Sequence, residues 1–451
     1  FDLNSLYPHL IMQYNISPET LLEERHPTVT VDRILNEEIN FELYKNNAVC
    51  ANGAMYRKDV RGFLPELMEK IYKDRTIYKK KMLTAKQQFE DTKDPKYLND
   101  VSRFNNIQMA RKISLNSAYG AIGNEWFRYY DLKIAEGITT SGQLSIRWIE
   151  KKLNDYLNKL LKTEEDYVIA SDTDSIYLRL GPLVDNVYGT GQKDSVPANI
   201  DKQQVIAFMD RVCEDKIQPF IDSSYQELAS YVHAYAQKMQ MKREALANKG
   251  IWTAKKRYIL NIYNNEGVQY KEPQMKVMGL EMVKSSTPAV IRGKLKESIM
   301  VILEGSQANL HKFVGEFRKE FNKLPVEEVA FPRGVNGMNT YKGSPIYAKG
   351  TPIHVRGSLL FNHHCKRLGL EKKYQAIKDG DKIKFVYVKK PNPFQEDVIA
   401  FPQELPKEFG IHSYVDYDLQ FEKVFLDALQ TVIEPLGWKT EEQSSLEDFF
   451  G

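Results

Sequence analysis

The chain has 451 residues, of which 42% are hydrophobic, 27% charged and 11% aromatic. That is the composition of a folded globular protein, too long for one core, and the usual domain size gives about three domains. No run of about 18 apolar residues occurs, which excludes a membrane-spanning helix. The net charge of +3 excludes little, and the widely separated Cys50, Cys213 and Cys365 suit a reducing cytoplasm without structural disulfides.

Phe1 opens a strand-like run rather than a basic stretch followed by an apolar one, which argues against a signal peptide. The run places one acid, Asp2, among apolar residues and breaks at Pro8. Asp2 there is either a helix cap or a metal ligand delivered at a strand end. Loops and short strands lead to Arg61-Gly-Phe-Leu-Pro65, after which Leu67, Ile71, Ile77 and Met82 recur at helical spacing. The pattern predicts a helix over 66–90, a short turn over 91–95 and a second helix over 97–121, together a helical hairpin. Between Lys70 and Lys86 lie Lys70, Lys73, Arg75, Lys79, Lys80, Lys81 and Lys86 against one acid, Asp74. This is a concentrated positive surface, either a solvated face or an anion site. Arg75 and Lys79 share one helical face, as do Lys112, Asn116 and Tyr119 in the second helix. Arg and Lys so placed fit phosphate oxygens, and a flat Tyr beside Gly120 suits a base or sugar.

Residues 133–161 predict a third long helix, buried along Ile134, Ile138, Leu144, Trp148, Leu153 and Leu157. Val168 to Leu178 then brings two strand-like arms to a turn carrying Asp172 and Asp174. Two carboxylates at a hairpin tip need water, a cation or both, because an unpaired buried charge costs several kcal/mol or more. Residues 180–201 read as a surface loop and 205–241 as helical. In the hairpin expected over 249–263, Lys255, Lys256 and Arg257 are interleaved with Trp252, Tyr258 and Tyr263. That pattern fits a nucleic-acid strand or an edge strand guarded by Lys. After Lys284-Ser-Ser-Thr-Pro288 the character changes: 289–324 is amphipathic and helical, 333–357 is rich in Gly and cations, 382–389 alternates as a strand, and 415–433 predicts a last helix. His363, His364 and Cys365 are consecutive, a poor arrangement for a tetrahedral zinc centre.

Asp2 and the Asp172/Asp174 turn thus flank a helical hairpin that carries phosphate-binding cations. Two-metal phosphoryl transfer divides the labour in this way, since hard cations take carboxylate oxygens and complete their shell with water and substrate phosphates. At these residues the chain resembles family B DNA polymerases. Asp2-Leu-Asn-Ser-Leu-Tyr-Pro8 is similar to the first polymerase motif, Lys112 through Asn116-Ser-Ala-Tyr-Gly120 to the second, and Asp172-Thr-Asp174-Ser to the third. Lys255-Lys-Arg-Tyr258 and Lys284-Ser-Ser-Thr-Pro288 resemble further motifs of the replicative polymerases of T-even-type phages.

The resemblance implies an α+β right-hand fold with an antiparallel-sheet palm (1–65 and 123–285), helical-hairpin fingers (66–122) and a mostly helical thumb (286–440). It implies template-directed DNA synthesis from deoxynucleoside triphosphates with two Mg²⁺ ions, for which Mn²⁺ is a substitute. Asp2 and Asp174 would hold the metals together with the Leu3 carbonyl, and Asp172 would be secondary. Arg75, Lys79 and Lys112 would grip the triphosphate. Ser5, Leu6 and Tyr7 would line the nucleotide site, with Tyr7 under the sugar excluding a 2′-hydroxyl, and Asn116 and Tyr119 at the nascent base pair. Lys255, Lys256, Arg257, Tyr258 and Lys284 would hold primer–template DNA, and Glu244 would neighbour the metals. Departures are Ala170-Ser171 in place of the usual Tyr-Gly, a short fingers turn, and Lys242 where phage relatives carry an acid.

Family members of this type carry an exonuclease ahead of the first motif. No exonuclease activity is therefore expected from these residues, the chain being either a fragment or half of a split polymerase with a separate exonuclease chain. The tail over 441–451 matches the sliding-clamp peptide pattern in Gln443, Leu446, Phe449 and Phe450, three apolar groups suited to one groove. The alternative reading is a catalytically weak DNA-binding and clamp-tethering module. Either would work in the cytoplasm of a bacterial host if phage-encoded.

Overall fold

The computed structural model describes residues 1–189, 201–343 and 345–441. Helix accounts for 52% and strand for 17%, so the class is α+β. Two compact units divide the chain: one takes in residues 1–248 and 262–274, the other 249–261 and 275 onward. No helix among the described residues is long and apolar enough to cross a membrane, and all three cysteines are free and buried.

The first unit begins with β1 (Asp2–Leu3) and α1 (Leu6–Tyr14). Pro8 does not break the run, contrary to the pattern reading. It stands in the first turn of α1, where a missing N–H has no intrahelical acceptor to lose. Ser5 makes the bend in a left-handed conformation, φ 50°. The helix is buried from Leu6 to Tyr14 apart from half-buried Tyr7, so it forms the centre of this unit's core. β2 (Leu21–Arg25), α2 (Val31–Leu35), β3 (Asn47–Val49) and β4 (Ala54–Arg57) follow, the three strands pairing in the order β2-β4-β3.

The predicted hairpin is present as α3 (Phe63–Thr92) and α4 (Lys96–Ile122), turned at Lys93 in the left-handed region. Only five of the 30 residues of α3 are buried, and beyond Met68 just Arg75 and Ala85. The outer hairpin therefore has little apolar core of its own. In α5 (Leu132–Leu161) all six residues of the predicted stripe are buried, each contributing roughly 1.5–3 kcal/mol.

β5 (Val168–Asp172) and β6 (Ser175–Leu178) form the acidic hairpin. The loop expected after it contains instead α6 (Gly181–Tyr188), eight residues with Pro182 at the N-terminus and Gly189 left-handed at the C-terminus, stop and start signals too close together to read as a helix. The helical segment 205–241 is also corrected: α7 (Lys202–Val212) passes through one wider π turn at 213–217 into α8 (Gln218–Tyr231), and irregular chain leads to β7 (Met241–Lys242). Pro219 explains the wider turn, since it cannot donate to the helical ladder. The acids lie on a four-stranded antiparallel sheet, β5-β6-β1-β7.

Three long strands, β8 (Ala245–Ala254), β9 (Arg257–Asn265) and β10 (Val268–Met278), pair in the order β10-β9-β8. The second unit continues with α9 (Ala289–Glu304), α10 (Gln307–Phe321), α11 (Val326–Val329), β11 (Phe331–Gly334), α12 (Met338–Tyr341), α13 (Ile353–Arg367), β12 (Lys382–Tyr387), β13 (Val398–Phe401), α14 (Tyr417–Phe421) and α15 (Asp427–Ile433). One core joins α9 and α10 to the C-terminal helices through Phe317, Phe321, Phe421 and Phe425. The other packs α13 on the sheet β11-β12-β13. There Gly357 lets the helix approach, because a Cβ would stand 2.8 Å from the Ala400 nitrogen. His364 is buried face to face with Phe394, ring centroids 3.6 Å apart, a packing role in line with the poor zinc arrangement read from the sequence.

Candidate active site

β1 is the hinge of the acidic sheet. Asp2 pairs with Ser175 of β6 on one side and with Lys242 of β7 on the other. The Leu3 N–H donates to the Asp174 carbonyl at 2.7 Å, and the Ile176 N–H to the Phe1 carbonyl at 2.9 Å. The β5–β6 turn is two residues long, with Thr173 left-handed (φ 56°) and the Asp174 N–H bonded to the Asp172 carbonyl at 2.6 Å. This backbone holds Asp2, on β1, beside Asp174, in the β5–β6 turn, each partly buried.

The electrostatics report their proximity. Burial, then the charges of Asp174 and Glu244, push the Asp2 carboxyl up to about 7, against the pull of the chain's amino group and Lys79. Asp174 is also raised, by burial and by Asp172 and Glu244, while its own backbone and Lys112 pull it down. Glu244, carried over from the motif, thus bears on both acids. Among the described residues no group of three or more His, Cys, Asp or Glu is close enough to form a preformed metal cluster. The chemistry of the donors nevertheless fits a hard divalent cation: oxygen-only carboxylates, partly desolvated and repelling one another, are what such an ion relieves.

The helical hairpin delivers its cations to the same region. Arg75 is buried at 8% exposure; its guanidinium donates to Ser5 Oγ at 2.7 Å and to Gln108 Oε1 at 3.3 Å. The expectation that Arg75 lies on an open polar face is therefore corrected: it bridges α3, α4 and the bend after β1. Lys79 is ion-paired with Glu266. Lys112 is exposed, and its charge reaches Asp174. Asn116 is exposed one turn further along α4, and Tyr119 packs on Tyr7 with ring centroids 4.4 Å apart. Burial, Tyr119 and Asp174 together raise the Tyr7 hydroxyl. Leu3 and Leu6 are core residues, so of these only backbone groups remain for a ligand.

The basic motif residues belong to the second unit. Lys255 and Lys256 form the exposed β8–β9 turn with Lys256 left-handed (φ 62°), so the cations gather at the tip and are not interleaved along the strand as the pattern predicts. Tyr258 is buried at 8% exposure against Trp252. Arg257 and Lys284 converge on Glu281, at 2.8 and 3.0 Å. Gln443, Leu446, Phe449 and Phe450 lie outside the described residues. Gln108, Glu266 and Glu281 are functional neighbours that the sequence pattern does not mark; an acid directly before Gly267 is the one local signal for Glu266.

A model of DNA polymerase family B matches residues 1–436, and the chain belongs to that family. It is similar to the DNA-directed DNA polymerase of Enterobacteria phage T4, 33% identical over 100% of this chain and 55% of the phage protein. The DNA-directed DNA polymerase of Escherichia phage RB69 is 34% identical over 100% of the chain and 54% of its own length. DNA polymerase 1 of Pyrococcus abyssi is 25% identical over 98% of the chain and 45% of its own length. The resemblance read from the motifs is thereby borne out, and the chain spans about half the length of the curated relatives it matches.

Proposed function

We propose that the chain carries the synthetic site of a DNA polymerase, extending a primer 3′ end on a template with deoxynucleoside triphosphates and releasing pyrophosphate. The observation that carries the reading is Asp2 on β1 beside Asp174 in the β5–β6 turn, with the charge of Lys79 reaching Asp2 and that of Lys112 reaching Asp174. In this reading residues 1–65 and 123–285 are the palm, 66–122 the fingers and 286–440 the thumb.

Asp2, Asp174 and the Leu3 carbonyl would hold Mg²⁺, two ions in all, with Asp172 and Glu244 as neighbours. Bound divalent cations supply a lowered pKa for the attacking hydroxyl and neutralise charge on the phosphates. The chain's own groups do the positioning. Arg75, Lys79 and Lys112 neutralise the triphosphate. The Tyr7–Tyr119 pair forms a floor for the sugar and base, with Tyr7 excluding a 2′-hydroxyl, and Asn116 borders the nascent base pair. Lys255, Lys256, Tyr258 and the Arg257–Glu281–Lys284 cluster serve the primer–template duplex. The tail around Leu446 and Phe449 serves a sliding clamp.

Primer extension by this chain, with Mg²⁺ and deoxynucleoside triphosphates, tests the reading. Extension that disappears in Asp174→Ala is the expected result, and unchanged extension in that variant overturns the assignment.

A further inference from the structure

The β9–β10 turn turns an acid toward the hairpin cations. Glu266 Oε1 accepts from Lys79 Nζ at 2.8 Å, and both side chains are 27% exposed. The turn is built to hold that acid in place. Glu266 sits left-handed (φ 51°) with its N–H on the Glu244 carbonyl at 2.5 Å, and the Gly267 N–H bonds Asn264 Oδ1 at 3.1 Å. Two helical turns along α3 the contact repeats: the Gln269 N–H donates to Gln87 Oε1 at 3.0 Å, and Lys86 lies over the Tyr270 ring at 5.5 Å. Residues 79, 86 and 87 share a face of α3, so that face is docked along this hairpin.

We propose that Glu266 is a positioning residue that occupies the anion site of Lys79, so that the triphosphate of an incoming nucleotide must displace its carboxylate. The inference rests on the reading of Lys79 as a triphosphate ligand. A partly buried ammonium wants an anion at all times, and Glu266 provides one while no nucleotide is bound. The triphosphate carries more charge than one carboxylate and displaces it. A singly charged anion gains nothing by the exchange. The pair therefore lowers nucleotide affinity by the fraction of molecules in which Lys79 is already held, in return for discrimination in favour of polyphosphates.

The test is equilibrium binding of a deoxynucleoside triphosphate to the chain on a primer–template with a dideoxy-terminated primer. Glu266→Gln is expected to lower the Kd about threefold, the range of measured surface ion pairs, and to lower KM in extension with little change in kcat. The gain should vanish in a Lys79→Met background, as a double-mutant cycle requires. Glu266→Asp, which keeps the charge, should retain most of the wild-type Kd. If Lys79→Met weakens binding while Glu266→Gln leaves it unchanged or weaker, the displacement is wrong and Lys79 remains a ligand. If Lys79→Met has no effect, the ligand reading itself fails. Glu266→Ser replaces Glu266→Gln if the latter does not fold.

Discussion

Arg75 reaches from the middle of α3 to Ser5, three residues after Asp2, and its guanidinium donates to the serine hydroxyl at 2.7 Å. In a helix with so little buried apolar surface, this charged hydrogen bond and its companion to Gln108 are the inner anchors of the hairpin. Hydrogen bonds to charged groups are worth roughly 1.5–3 kcal/mol. Arg75→Met keeps the length and loses the donors, so it should lower stability in urea by about 2 kcal/mol and raise the KM for nucleotide. Arg75→Lys restores charge without the planar fork and should recover only part of either loss. A urea midpoint unchanged in Arg75→Met would remove the anchoring role.

What could be read from the sequence follows from range. The helices at 63–92, 96–122 and 132–161 are long and regularly patterned, and their ends were placed within about three residues. The strand at Asp2 and the turn at Asp172 and Asp174 were legible because the pattern around each is local. The partner of Lys79 was not, being 187 residues away in a turn with no pattern of its own. Nor was the burial of Arg75 and Tyr258, because composition marks both as surface residues and only tertiary packing supplies Ser5, Gln108 and Trp252 around them. α6 escaped because Gly181 and Pro182 at its start and Gly189 just past its end read as loop residues.

His9, on α1, is 3% exposed, bonds the Ser5 carbonyl through Nδ1 and packs edge-on to Tyr72. Burial chiefly, with Lys238 and Arg75 adding to it against the Ser5 bond, lowers its pKa from 6.5 to about 4. The folded value lies below the unfolded one, so the unfolded chain takes up a proton that the native state refuses. Stability from this group is present above pH 6.5 and is lost as the pH falls toward 4, by about 2 kcal/mol between pH 7.5 and 5. Urea unfolding at those two pH values should therefore show a smaller acid loss in His9→Gln than in the wild type. Equal losses would place the titration elsewhere.

Gly279 supports the basic turn from below. Its φ is +67°, and a Cβ there would overlap the Lys256 carbonyl oxygen, with Arg257 next to it. Left-handed backbone alone costs an L-residue about 1–2 kcal/mol, and the overlap must be relieved by moving Lys256. Gly279→Ala should then weaken binding to a primer–template duplex. The loss is expected as a log–log salt dependence shallower by about one for each phosphate contact given up. Fluorescence anisotropy at several salt concentrations reads this directly; lower affinity with an unchanged slope would mean that the turn makes no phosphate contact.

Asp2 and Asp174 stand side by side at a cost in stability. Asp2 is held partly buried beside Asp174 and Glu244, so its carboxyl is raised to about 7 and the native state resists its charge. Asp174→Asn removes one of the repelling charges without changing the shape of the side chain. In metal-free buffer at neutral pH it should therefore melt higher than the wild type, by about 1–2 °C. Primer extension should fall at least about a hundredfold, since several kcal/mol of charge stabilisation go with the missing ligand. Mg²⁺ then separates the two effects: a ligand that binds only the native state raises its melting temperature, so added Mg²⁺ should raise the wild type and not Asp174→Asn. Equal shifts in both would mean that the cation binds elsewhere, and the higher melting point of the variant would then reflect relief of repulsion alone.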